Sequence, residues 1–419
     1  MKFLTQGEKV RNIRKYLKMG QEDLQDESVS RGLVSMIEIG KRALTKDVAT
    51  KFVIKFRERA KELNIDLDAD ENYFMRSPSE EAELYCLEKL QSSNIRYNID
   101  EILEISCEFN LLNIKADYYS KKADFCLVDK NYDTGFNYYN EALAICQDIK
   151  QDKSIPYLYW KLGFCKQAMA QYEGALSYFN ICERYSTMYK DTKIQEIMLY
   201  DKALCYKKLN KLELALENVN KYLIYHTLED NSYFYAHILK ANCYEAMENY
   251  DVAINIYNSL LKTSKTDSPV LGYIYNNLGV VYSDKSDFET ALKHFQIAEK
   301  IRNSIDKQNL CYTLIEKSEV FIKQHLYDKA IKTIKLGLEN AKVYNDYTCL
   351  LKGNYVLIRI YENINDGTSL KNTYLTIVDL LKENNNYIEI ISIYAKLALI
   401  YLKENNIEEA KKYLIMLQN

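Results

Sequence analysis

The feature that most constrains this chain is a set of small residues returning at an almost fixed interval. Gly135, Ala175, Ala215, Ala253, Ala291 and Ala330 follow one another at steps of 40, 40, 38, 38 and 39, and Ala410 lies 80 residues beyond the last. Twelve residues before each stands a second small residue: Ala123, Gly163, Ala203, Ala241, Gly279, Ser318 and Ala398. Large aromatics recur three positions before the later member, at Tyr132, Tyr172, Tyr250, Phe288 and Tyr327. Paired helices need this spacing, because small residues at a crossing let two backbones approach and an aromatic fills the gap beside them. The 80-residue step predicts one degenerate unit centred near Leu370. The chain is expected to be all-α, with about eight units in phase.

Two of the units show the pattern at full length. YNNLGVVYSDKSDFETALKHFQIAEKI (275–301) and YWKLGFCKQAMAQYEGALSYFNICERY (159–185) both place Leu-Gly near the start and a large aromatic nine residues after the Gly. Ala follows three residues later and Phe four after that. This resembles the tetratricopeptide repeat, and the resemblance implies an α-solenoid, a right-handed superhelix with a concave inner surface. The interval exceeds the usual length of about 34 residues, so each unit is expected to have longer helices or longer connections. Cys165, Cys205 and Cys243 keep the same interval and belong to the helix packing. Residues 80–113 are helical in pattern and are expected to cap the array.

Composition agrees with a long run of helices. Only 3 Pro and 12 Gly occur, so few positions break a helix. The 38 Tyr suit helix packing and would also suit a groove that binds peptide. The ten Cys show no CxxC and no Cys–His spacing of a zinc site, which argues against a metal centre. No cofactor motif, P-loop or Ser–His–Asp arrangement is present, and no enzyme is expected. Without an apolar leader or a run of 18 apolar residues, the expected setting is cytoplasmic with no membrane partner. Charge is uneven: residues 1–66 hold 15 Lys and Arg against 10 Asp and Glu, while the whole chain has a net charge of −3. A basic head on an acidic body suggests that the head meets a polyanion.

The head reads GEKVRNIRKYLKMGQEDL (7–24) and VSRGLVSMIEIGKR (29–42). Val10, Ile13 and Leu17 stand at helical spacing, with Arg11, Arg14, Lys15 and Lys18 outside that stripe. A short helix, QEDLQDES, is expected after Gly20. Ser30 can cap a further helix through its hydroxyl. In that helix Leu33 or Val34 and Ile37 point inward, and Arg31, Gly32, Ser35 and Met36 face out. Gly40 ends it as a residue that tolerates left-handed backbone, and Lys41 and Arg42 follow. These residues resemble the DNA-binding domain of phage-repressor-type helix-turn-helix regulators. The resemblance implies that the helix starting at Ser30 enters the major groove of double-stranded DNA. Gln21, Lys41 and Arg42 match positions that grip phosphate, and Arg31, Gly32, Ser35 and Met36 match those that face bases. The run from Leu24 to Ser30 is one residue shorter than usual and lacks a Gly. With Gly32 and Met36 among the outward residues, direct readout rests mainly on Arg31, whose guanidinium can bond a guanine edge, and on Ser35.

The resulting division is a helix-turn-helix domain at 1–66, a linker at 67–81 and a repeat domain at 82–419 that senses peptide and dimerises. A helix-turn-helix head on a tetratricopeptide body resembles the RRNPP family of peptide-responsive quorum-sensing regulators. That family implies a homodimer that binds a short signalling peptide on the inner face of its repeats. Inner-facing positions are expected three before, one after and four after the first-helix small residue. They select Trp160, Phe164 and Gln167; Tyr200, Leu204 and Lys207; Ile238, Asn242 and Glu245; and Asn276, Val280 and Ser283, with Asn277 adjacent. Ile315, Glu319, Tyr355 and Arg359 complete the set. Asn242 and Asn276 read as a ladder for a peptide backbone, since an amide can bond both its C=O and its N–H. Lys207 and Arg359 could pair with a peptide carboxylate. The apolar run IISIYAKLALIYL (390–402) offers either a dimer interface or a cap for the array. A response-regulator phosphatase, a bifunctional regulator and a protein-binding scaffold are the alternatives.

Overall fold

The computed structural model describes residues 2–92, 94–150, 152–227, 230–264, 268–383 and 387–417, and among them no strand occurs. The chain divides into two compact units, Met1–Cys205 and Tyr206–Asn419, with the boundary inside a helix.

The first unit opens with α1 (Gln6–Tyr16), α2 (Arg31–Glu38), α3 (Lys46–Glu62) and α4 (Glu71–Met75). Thr5 starts α1 with a capping box: its hydroxyl accepts the Glu8 N–H, and the Glu8 carboxylate accepts the Thr5 N–H. Val10, Leu17, Leu24, Val29, Val34, Ile37, Phe52, Phe56 and Phe74 form one buried core. Gly7 is required where α1 meets α2, because a Cβ there would lie 2.1 Å from the Ile37 carbonyl oxygen.

Three features of the head differ from the sequence reading. The expected helix QEDLQDES is only a 3-10 turn at Glu22–Leu24. Asp26 then does the work of the absent Gly: its Oδ1 accepts the Ser28 N–H at 2.7 Å, the Ser28 hydroxyl at 2.8 Å and the Val29 N–H at 2.8 Å. Those bonds, led by Ser28, hold its carboxyl below the usual range. Second, Arg14 is buried instead of lying with the outward basic residues, because it pairs with the buried Glu38. Third, the segment read as a linker is structured, since Phe74 of α4 fills the head core and Ser77 caps the next helix.

That next helix, α5 (Pro78–Gln91), pairs with α6 (Ile95–Glu108) ahead of the repeats. The repeat pairs of the first unit are α7 (Leu112–Val128) with α8 (Tyr132–Asp148) and α9 (Ile155–Ala168) with α10 (Tyr172–Met188). α11 (Thr192–Lys208) carries the unit boundary. The second unit continues through α12 (Leu212–Leu223), α13 (Asn231–Ala246), α14 (Tyr250–Thr263), α15 (Val270–Asp284) and α16 (Phe288–Ile305). α17 (Leu310–Lys323), α18 (Tyr327–Val343), α19 (Tyr347–Asn363), α20 (Gly367–Glu383), α21 (Tyr387–Lys403) and α22 (Ile407–Met416) follow. α19 and α20 are the degenerate unit: Ile358 and Leu370 occupy positions where the other units carry small residues.

The periodic residues explain the packing. Ala123, Ala175, Ala203, Ala215, Ala241, Ala253, Ala291, Ser318, Ala330 and Ala410 are fully buried. At Gly163 an added Cβ would lie 2.5 Å from the Phe179 ring, and at Gly279 it would lie 2.9 Å from the Phe295 ring. These Phe residues, four positions after Ala175 and Ala291, occupy the space that the Gly residues vacate. Tyr132, Tyr172, Tyr250, Phe288 and Tyr327 are each the first residue of a second helix. Part of the added repeat length sits in helices such as α7, α8 and α10, with 17 residues each, although α12 has only 12. The tight turns within the repeat pairs pass through left-handed residues, among them Lys130, Ala170, Glu248, Ser286 and His325. Cys165, Cys205 and Cys243 are buried as expected, and burial raises their thiol pKa values to about 12, 12 and 11.

Candidate functional site

Two sets of polar side chains stand out from the packing, one on the head and one on the first helices of the repeats. On the head, Ser30 caps α2 by accepting the Leu33 N–H at 3.2 Å. Val34 and Ile37 face the core and Leu33 is half-buried. Arg31, Gly32 and Met36 are exposed and Ser35 is half-buried, so α2 presents one free side with a guanidinium at its start. Gly40 takes φ +73, which lets the Lys41 and Arg42 N–H groups fold back onto the Met36 carbonyl at 2.9 and 3.1 Å. Both basic side chains are exposed beyond that stop.

The angle of α2 is fixed from behind. Arg14 donates through Nε to Glu38 Oε1 at 2.6 Å and through Nη2 to Glu38 Oε2 at 2.9 Å, and its Nη1 reaches the Met19 carbonyl at 2.8 Å. A bidentate pair of this kind is directional as well as strong. Gln21 donates to the same carboxylate at 2.8 Å, so one of its two amide hydrogens is committed inside the head. Lys55 of α3 donates to the Asp23 carbonyl at 3.2 Å and also to that of Gln25, clamping the turn that leads into α2.

In the first unit the repeat set is built on a buried carboxylate. Asp201 of α11 is 8% exposed and accepts the Trp160 indole N–H of α9 at 2.8 Å. Among the described residues no cation pairs with it. Burial pushes its carboxyl up to about 6, while the Trp160 hydrogen bond pulls the other way. Gln167 reaches the Asp201 carbonyl at 3.5 Å, and its own Oε1 is buried without a partner among the described residues. Tyr200 is half-buried on α11. Beside Trp160, Lys161 sits 5.0 Å from the indole and 3.2 Å from Asp124.

In the second unit α13, α15, α17 and α19 touch in succession, and polar side chains span the joints. Lys323 donates to Asp284 at 2.8 Å, Lys352 to Glu316 at 2.5 Å, and Arg359 to both Glu319 oxygens. Glu245 is half-buried, with no ion pair within bonding distance among the described residues. Burial raises its carboxyl to about 7, Lys207 opposes this, and Asp284 and Glu316 add to it. Lys207 is depressed by burial, with Glu245 pulling it back up. The Tyr257 hydroxyl donates to Asn242 Oδ1.

The structure joins Asn242 to Tyr257, whereas Asn276 lies 7% exposed with its Oδ1 unpartnered among the described residues. Ile238, Asn276 and Ile315, all three residues before a first-helix small residue, are buried in the second unit. The position two before it carries Asp201, Asn277 and Glu316, and residues two before and one after lie three apart on one helical face. Sequence reasoning therefore missed Asp201, Asp284 and Glu316. Their signal, a carboxylate near a small crossing residue, was present but shifted by one. No group of three or more metal-ligating side chains occurs among the described residues. No described helix is long and apolar enough to cross a membrane.

Comparison with known proteins adds three findings. A tetratricopeptide repeat family matches residues 232–304, and another tetratricopeptide repeat model matches 391–415. The chain is 24% identical over 273 residues to the transcriptional activator NprA of Geobacillus stearothermophilus, spanning 62% of this chain and 67% of that protein. The structure of a Rap protein complexed with competence and sporulation factor superposes with a TM-score of 0.50 at 15% identity, covering 82% of this chain and 98% of that one. NprR in complex with its cognate peptide NprX gives a TM-score of 0.49 at 19% identity, covering 81% and 98%. The Rap likeness shows a shared fold.

Proposed function

We infer that this chain, whose relative NprA and tetratricopeptide repeats support the RRNPP family, is a cytoplasmic transcription regulator that binds double-stranded DNA under the control of a short signalling peptide. The observation that carries the DNA part is α2: a capped helix, held from behind by a buried ion pair, with Arg31 free at its start and Lys41 and Arg42 free past its end. In this reading 1–66 is a helix-turn-helix domain, 67–81 connects it, and 82–419 senses peptide. Ser30 positions the helix, Arg31 and Ser35 read bases, Gly32 and Met36 allow close approach, and Gln21, Lys41 and Arg42 hold phosphate.

The repeat side chains supply the peptide contacts. In the first unit these are Trp160, Gln167 and Tyr200, with Asp201 as the anionic group. In the second they are Lys207, Asn242, Glu245, Asn276, Asn277, Glu319 and Arg359. Buried acceptors without partners among the described residues, Gln167 Oε1 and Asn276 Oδ1, fit a ligand that brings N–H donors, as a peptide backbone does. The relative NprA, a transcriptional activator, and the Rap protein complexed with competence and sporulation factor agree with this reading. A homodimer completes it, with the exposed Ile391, Leu399 and Leu402 of α21 facing a second copy.

The peptide part is tested by titration calorimetry with synthetic peptides from the reading frame next to the gene. Binding is expected, and the double variant Asn242→Ala/Asn276→Ala is expected to lose it while keeping its helical circular dichroism. An unchanged titration in that variant removes these Asn residues from the site.

A further inference from the structure

Lys9 has no counterpart in the roles above, yet it is 1% exposed in a helix where Arg11 and Lys15 face solvent. Its ammonium donates to three acceptors: the carbonyl of Tyr73 in α4 at 2.8 Å, the carbonyl of Arg76 just after α4 at 2.9 Å, and Oε1 of Glu81 in α5 at 2.9 Å. It also lies 4.9 Å from the centroid of the Tyr73 ring. Arg76 donates to the same Glu81 oxygen at 2.7 Å. Gln6 of α1 reaches the Met75 carbonyl as well. The carbonyls belong to the end of α4 and the residue after it, and Glu81 stands in the first turn of α5. One buried cation thus ties α1 to the start of the body.

Apolar packing does little of this joining. The head core, Val10 to Phe74, and the core of α5 to α7, Ala82 to Tyr118, are separate clusters. A cavity of about 430 Å³, bordered by Lys2, Phe3, Tyr73, Arg76, Glu81 and Tyr85, lies at the junction. Phe3 and Leu4 of the N-terminal arm both line it, and Phe3 packs edge-on to Tyr85 and Phe109 with centroids 5.8 and 5.4 Å away. A buried ammonium that loses its acceptors is left without solvation, so this contact resists bending in a way that a surface pair does not.

We propose that Lys9 is a positioning residue that locks the orientation of the head on the first body helices, so that head and body move together. The lock itself stands on the contacts just described, and its bearing on DNA rests on the regulator reading above. Lys9→Met keeps the length and apolar stem of the side chain and removes the charge.

In the full chain, hydrogen exchange at amides 73–81 is expected to be about tenfold faster, or more, in Lys9→Met than in the wild type, with amides of α2 and α15 unchanged. Equal exchange at 73–81 overturns the lock. If Lys9→Met loses its helical signal, Glu81→Gln is measured in the same way; it keeps shape and weakens the same bonds, and unchanged exchange there has the same force. Binding of a labelled duplex from upstream of its own gene provides the second readout. Weaker binding by Lys9→Met, together with native exchange in α2, supports the positioning role. Unaltered duplex affinity alongside faster exchange overturns that role. If the wild type itself binds no duplex, the regulator reading fails, and the lock is judged on exchange alone.

Discussion

Asp201→Asn separates the chemistry of the first-unit site from its packing. The carboxyl is 8% exposed, accepts one hydrogen bond from Trp160 at 2.8 Å, and titrates near 6 because burial disfavours its charge. In the unfolded chain it titrates near 3.8. The unfolded state therefore releases its proton first, and between about pH 4 and pH 6 the folded state binds more protons. Stability falls as pH rises through that window and stays reduced above it. A shift of about 2 pH units corresponds to about 3 kcal/mol, an upper figure for a site that can relax. Asn accepts the same indole hydrogen bond without a charge. The variant is expected to match the wild type at pH 4 and to exceed it by about 2–3 kcal/mol at pH 8. Trp160 is the only Trp in the chain, so urea unfolding followed by its fluorescence reports this unit directly. Native Trp160 emission should also titrate near 6 in the wild type and not in the variant. A stability difference that stays constant from pH 4 to pH 8 refutes the claim of an uncompensated buried carboxylate.

The helix crossings and the head make separate predictions. Gly279→Ala places a methyl 2.9 Å from the Phe295 ring and should cost about 1–3 kcal/mol by urea unfolding. Gly174→Ala, whose nearest neighbour atom is 3.9 Å away, should instead stabilise α10 by up to about 1 kcal/mol. Glu38→Ala leaves Arg14 buried without its partner, and the head should lose about 3–5 kcal/mol in a thermal or denaturant melt.

The helical repeat was legible because its small residues answer a geometric demand that nothing else satisfies. Gly163 and Gly279 are Gly because Phe179 and Phe295 occupy their Cβ space. The tight turns were less legible, since Lys130, Ala170, Glu248 and His325 take left-handed backbone with side chains that usually avoid it. Neighbouring helices on both sides impose that conformation, which local propensity cannot register. In the head, helical spacing found Val10 and Leu17 but misplaced Arg14, because periodicity sorts residues by polarity and a buried ion pair breaks that sorting. The same blindness hid Lys9 and Asp201, whose partners lie 64 and 41 residues away in sequence. The shift of one position on the first helices had a similar origin. Which of two adjacent residues faces a neighbour depends on helix rotation, fixed by contacts the sequence does not display.

The most direct test of the account is fluorescence anisotropy of the full chain on the duplex upstream of its own gene, with and without the peptide from the adjoining reading frame. The wild type is expected to bind at low salt and to weaken steeply as salt rises. The peptide should change its affinity, and Arg31→Ala should lose about tenfold or more. No binding to any duplex at low salt, or binding that neither peptide nor Arg31→Ala alters, would contradict it.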